Sequence, residues 1–174
     1  ARSGDDPTPL WATRVMLDHP GMVRDIHADY FAAGATIATT NTYAIHHDRL
    51  LRAGLDPLFH ALHLRALAEA HEARAAHPGT RIAGSLGPLN ASYRPDLTEP
   101  VPEAAAKYAE IARLLGPHVD LILIETAASI EAESLWSTNI ATGRCTARLT
   151  WNICSSTSRL GSSRSIRMTS GSSA

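Results

Sequence analysis

From Val119 to Ile124 the chain reads VDLILI, an apolar run with almost no alternation that ends on a carboxylate, Glu125. A strand with one wet face alternates and a strand covered on both faces does not, so this run belongs in a parallel sheet flanked by helices. The residues before it supply those helices. Pro20 to Ala33 places Met22, Ile26, Tyr30 and Ala33 at helical spacing before Gly34, with proline suited to a first turn and glycine to the position after the last. Ala35 to Tyr43 (ATIATTNTY) is rich in β-branched residues and predicts a strand. A second helix, capped by Asp56 with Pro57 at its first position, runs toward Ala76 until His77, Pro78 and Gly79 stop it. Arg81 to Ala83 predicts a short strand entering a turn, Gly84-Ser85-Leu86-Gly87-Pro88. A third helix, Pro102 to Leu115, lines up Ala104, Tyr108, Ile111 and Leu115 and ends at Gly116 and Pro117. Strand, helix, strand, helix, strand is the order of parallel α/β architecture, and by itself it leaves barrel and open sheet both open.

Composition narrows the setting. The 174 residues carry 16 Lys plus Arg against 17 Asp plus Glu, which gives no overall pull toward nucleic acid or an anionic membrane. That balance is a cancellation. Residues 134–174 hold five arginines and no Asp, Glu or Lys, so the body through Glu133 carries the other 11 basic groups and all 17 acidic ones. No apolar run nears the roughly 20 residues of a membrane span. With only Cys145 and Cys154, and no leader pattern after Ala1, the expected compartment is the cytoplasm. The segment from Ser134 to Ala174 holds eleven serines and no sustained period, so an irregular, low-complexity tail is expected. Its one strand-like run is Arg148 to Cys154, which needs a partner to form a sheet.

Three strand ends attract attention. Glu125 closes a buried strand, where a carboxylate must face a polar mouth or be compensated; ligands bind at the carboxyl ends of parallel strands, and a carboxylate there suits an ammonium group. Asn41 lies among threonines at the end of an earlier strand, and Ser85 lies in the glycine turn after the next. Together these groups can hold a zwitterionic amino acid better than any one of them. The ordinary readings are an internal ion pair or helix cap for Glu125, turn formation for Asn41, and a tight loop around Ser85.

Pro9-Leu10-Trp11, Tyr30 to Ala35 (YFAAGA), Thr39 to Tyr43 (TTNTY), Gly84 to Pro88 (GSLGP) and Asp120 to Thr126 (DLILIET) resemble, in order, the landmarks of the homocysteine S-methyltransferase family, over about residues 9–133. The resemblance implies a (β/α)8 barrel, a zinc ion held by three cysteines, and methyl transfer from a donor such as S-methylmethionine to the homocysteine thiol, giving methionine. Zinc would ionise that thiol into a nucleophile. By the resemblance Glu125 contacts the substrate amino group, and Asn41 and Ser85 line the same pocket. The partners implied are small molecules, homocysteine and a methyl donor, with no nucleic acid and no membrane.

The departures matter as much. The family's first-strand turn should precede Pro9, and its adjacent Cys-Cys pair has no counterpart, so no metal ligand is transferred. A full barrel takes roughly 250 residues, and about three of its strands are recognisable. The expectation is therefore a partial barrel, about half, over residues 1–133, followed by an unrelated tail over 134–174 of the kind a shifted reading frame would produce. A fragment without zinc or catalysis is the alternative. Histidine metal binding around His46, His47, His60, His63 and His71 is a weaker competitor, because the spacing fits no strong motif and surface histidines on alanine-rich helices explain it more simply. The arginine-bearing tail as a nucleic-acid binder is opposed by the acidic body, and Gly84-Ser85-Leu86-Gly87 lacks the glycine and lysine of nucleotide loops.

Overall fold

The computed structural model describes residues 4, 10–90, 97, 99–126, 148–152 and 165–166. The chain divides into two compact units, Ala1–Ala83 and Gly84–Ala174.

The first unit contains a 3-10 turn Trp11–Thr13, α1 (Val15–Asp18), α2 (Met22–Ala32), β1 (Ile37–Thr39), α3 (His47–Arg52), a 3-10 turn Asp56–Leu58, α4 (Phe59–Ala75) and the start of β2 (Arg81–Leu86). The Asp56-Pro57 signal marks a 3-10 turn, and the α-helix begins only at Phe59. On α4, Phe59, Leu62, His63, Ala66, Leu67, Ala70 and Ala73 are buried. That spacing of three and four is one continuous stripe of a helix. Phe31, Ala38 and Ala73 form a core with Ala28 and Ala35, and the alanines let α2 lie close on α4.

Gly21, which caps α2, has φ 87° and no side chain to accept the helix's first amides. The acceptor comes from α4. Glu69 takes the Gly21 amide at 3.1 Å and the Arg24 amide at 3.0 Å, and Arg65 Nε donates to the same carboxylate at 3.1 Å. A buried carboxylate is thus satisfied by two backbone donors, a cation and the positive end of a helix.

β1 and β2 are parallel, with Ile37 opposite Arg81 and Thr39 opposite Ala83. β1 is shorter than the predicted Ala35 to Tyr43: pairing stops at Thr39, and the Thr40 and Thr42 hydroxyls bond to each other at 2.8 Å while Thr42 N donates to Thr40 O. Those threonines build a buried turn. The histidines expected on the surface are a correction: His46 and His63 are 1% and 0% exposed. The cause is the apolar stripe, on which His63 falls one turn after Phe59, packing ring to ring at 4.5 Å while its Nδ1 lies 2.9 Å from Phe59 O.

The second unit holds the end of β2, α5 (Val101–Leu115), a 3-10 turn Gly116–His118, β3 (Leu121–Glu125), β4 (Arg148–Asn152) and β5 (Ser165–Ile166). In this unit β3, β4 and β5 are neighbours in that order. β4 runs parallel to β3, from Leu121 opposite Arg148 to Glu125 opposite Asn152, and β5 runs antiparallel to β4. The strand-like run in the expected irregular tail therefore does find a partner, and the remainder of residues 134–174, including both cysteines, lies outside the described residues. α5 buries Ala104, Ile111, Ala112 and Leu115; Tyr108, predicted on that face, donates its hydroxyl to Gly87 O at 3.2 Å.

Candidate functional site

Ser85 is in a strand and not in a turn. β2 continues through Leu86, buried from Ile82 onward, so the glycine before Ser85 needs another explanation. A Cβ on Gly84 would lie 3.2 Å from Leu115 Cδ1 and 3.4 Å from Val119 Cγ2. Glycine is there because the end of α5 and the residue leading into β3 approach the strand. With that approach made, Ser85 is 1% exposed.

Glu125 is the last residue of β3. Ser85 Oγ donates to Glu125 Oε1 at 2.5 Å, within the short range of a hydroxyl bonded to an ionised oxygen. This bond fixes the carboxylate on the strand end. A carboxylate offers two oxygens and about four lone-pair positions, so one hydroxyl orients it without exhausting it. Glu125 and its neighbour Thr126 are partly exposed, as a group meeting a solute must be. Thr126 has a φ of 57°; sequence reasoning passed over it, since threonine carries no signal for left-handed backbone.

Asn41 stands in the first unit, two residues past the paired end of β1. Its Nδ2 donates to Ala12 O at 2.9 Å, tying the turn after β1 to the amino-terminal 3-10 turn. The bond brings Ser85 and Glu125 together, while Asn41 is held by a different group.

The histidine cluster in the first unit is a packing arrangement. His47 stacks on Phe59 with ring centres 3.9 Å apart, and its Nδ1 meets Asp56 Oδ1 at 2.6 Å. Among the described residues, no group of three His, Cys, Asp or Glu could hold a metal ion. Burial, with the nearby Arg49 and His63 charges, pushes the His46 imidazole down to about 3. No helix among the described residues is long and apolar enough to cross a membrane.

The family profile described as Homocysteine S-methyltransferase matches residues 2–172, a longer span than the motifs alone indicate. The chain is similar to the homocysteine S-methyltransferase of Escherichia coli K12, with 32% identity over a 142-residue alignment that covers 72% of this chain and 46% of that protein. It is also similar to the Bacillus subtilis homocysteine S-methyltransferase YbgG, with 30% identity over a 134-residue alignment that covers 71% of this chain and 42% of the relative. Among solved structures, the metallated form of the Escherichia coli homocysteine methyltransferase MmuM superposes with a TM-score of 0.75 at 25% identity, covering 85% of this chain and 57% of that one. The oxidised form gives 0.76 over 86% and 56%. The chain spans somewhat under half the length of the curated relatives it matches.

Proposed function

The chain belongs to the homocysteine S-methyltransferase family, and from that premise we propose that it carries the part of a methyl-transferring barrel that recognises the amino group of homocysteine. The observation that supports this reading is the 2.5 Å bond from buried Ser85 to Glu125 at the carboxyl end of β3. An orientation set by the sheet leaves an anionic oxygen for an ammonium group. Asn41, on the turn after β1, is in this reading a further substrate-binding residue of the first unit. The methyl would come from a donor such as S-methylmethionine, and the expected setting is the cytoplasm with small-molecule partners only.

Zinc enters this chemistry by ionising the thiol, and a three-thiolate site needs one more cysteine than the two this chain contains. Among the described residues no three His, Cys, Asp or Glu side chains come together as a metal-binding group, and the contribution we propose for the chain's own residues is substrate holding. Methyl transfer by this chain alone is accordingly a separate question from homocysteine binding.

Glu125→Gln keeps the shape and a hydrogen-bonding partner for Ser85 while removing the charge. L-homocysteine binding, measured by calorimetry on the whole chain, should weaken by about 1.5–3 kcal/mol, roughly 10- to 150-fold. Equal affinity in the two chains would refute the assignment of Glu125 to the substrate ammonium.

A further inference from the structure

The family landmark ends Glu125-Thr126, and the second of these residues has a backbone that its side chain disfavours. Among the described residues, Thr126 is the one non-glycine with a positive φ, at 57°. A β-branched residue there is a true outlier, because the Cβ crowds the carbonyl oxygen and the branched side chain restricts its own rotamers. Such conformations persist only where surrounding structure holds them, and they gather at binding sites. This one sits directly after the carboxylate that Ser85 orients.

Its position in the ladder suggests what it does. β3 and β4 are paired from Leu121 opposite Arg148 to Glu125 opposite Asn152. An extended residue 126 could continue the strand past the carboxylate; Thr126 is left-handed instead, and Glu125 is the end residue of β3. Glycine would reach the same φ without strain, but it would also reach many other conformations. Threonine has fewer conformations open to it than glycine, so where the fold holds it left-handed the peptide between residues 125 and 126 has less freedom than it would before a glycine.

The geometry points to Thr126 as a positioning residue whose left-handed backbone fixes the Glu125 carboxylate against Ser85 for the substrate ammonium. This rests on the ammonium reading of Glu125 and deepens it by adding the residue that sets the aim. The contribution is conformational, so a residue that tolerates left-handed backbone should substitute for threonine better than one that is free.

The test compares, for the full chain, the affinities of L-homocysteine and 4-mercaptobutanoate, which is the same molecule without its amino group. Their ratio isolates the ammonium contact. Glu125→Gln should bring it close to one. Thr126→Gly should lower it by about tenfold, the scale of a small misplacement at a site, with a melting temperature unchanged or raised by about 2–4 °C as strain is released. Thr126→Asn, which accepts left-handed backbone, should keep most of the wild-type ratio. A Thr126→Gly ratio equal to wild type, where Glu125→Gln has lost it, overturns the positioning role and leaves the ammonium reading standing. A wild-type ratio of one overturns both. Loss of ratio and of melting temperature together in the Gly and Asn chains would show a purely structural residue and also overturn the proposal.

Discussion

His46 shows how the environment of one residue sets a property of the folded chain. It precedes α3 with 1% exposure, its Nε2 lies 3.1 Å from Tyr43 O, and burial holds its imidazole at about 3 against an ordinary value of 6.5. With the carbonyl as acceptor, Nε2 carries the proton in the neutral ring. Because the folded pKa lies below the unfolded one, the unfolded chain binds the extra proton first as pH falls. Stability is therefore at its full level above about pH 6.5 and declines as pH drops toward 3, at up to about 1.4 kcal/mol per pH unit from this one group. Denaturant unfolding of wild type and His46→Gln between pH 7 and pH 4 should give a steeper loss in wild type, since glutamine can donate to Tyr43 O but does not titrate. Carboxylates contribute to both chains and cancel in the difference. Parallel stability curves would mean that His46 is not held neutral by burial.

The elements show which features the residues reveal and which they hide. Gly84 in β2 has ordinary negative-φ backbone, so alanine there would gain about 0.4–1 kcal/mol by restricting the unfolded chain if space allowed. Space does not allow it: the new Cβ would meet Leu115 Cδ1 at 3.2 Å, and Leu115 is wholly buried. Overpacking costs about 1–3 kcal/mol, which outweighs the entropic gain, so Gly84→Ala should lower the melting temperature by several degrees; a rise would show that α5 can retreat freely. The glycine-serine run looked like a turn because glycine is the same letter whether it supplies a bend or a close approach. Helices α2, α4 and α5 and strand β3 were legible, since each shows its period or its unbroken apolar run over enough residues. The short α3 was not, because six residues, His47 to Arg52, carry no full amphipathic pattern. Glu69 as a cap for α2 was hidden for a different reason: its partners are 45 and 48 residues away, and no local pattern encodes a long-range cap. In the candidate site, Glu125 was readable as a charge ending an apolar strand, but the bond to Ser85 spans 40 residues and Thr126's backbone has no signature in its residue type.

At the scale of the molecule, family membership and the capacity of this chain for the family's reaction separate. The relatives it matches are about twice its length, with 46% and 42% of their residues covered, while the profile match runs to residue 172 and β4 extends the sheet in register with β3. Recognition of an amino acid needs only fixed polar groups at strand ends, and the second unit contains the Ser85 and Glu125 pair. Nucleophilic attack needs more, because a free thiol of pKa about 8.5 is only a few per cent thiolate at neutral pH. Raising that fraction is what a thiolate-bound zinc would supply, and the three-cysteine set that the family resemblance implies exceeds the two cysteines of this sequence. We therefore expect the purified 174-residue chain to bind homocysteine weakly and, supplied with S-methylmethionine and zinc, to form methionine at the uncatalysed rate. Metal analysis after dialysis should find well under one zinc per chain. Stoichiometric zinc accompanied by chelator-sensitive methionine formation would establish that this chain assembles a metal site from ligands other than three cysteines, and would extend its role from holding the substrate to transferring the methyl group.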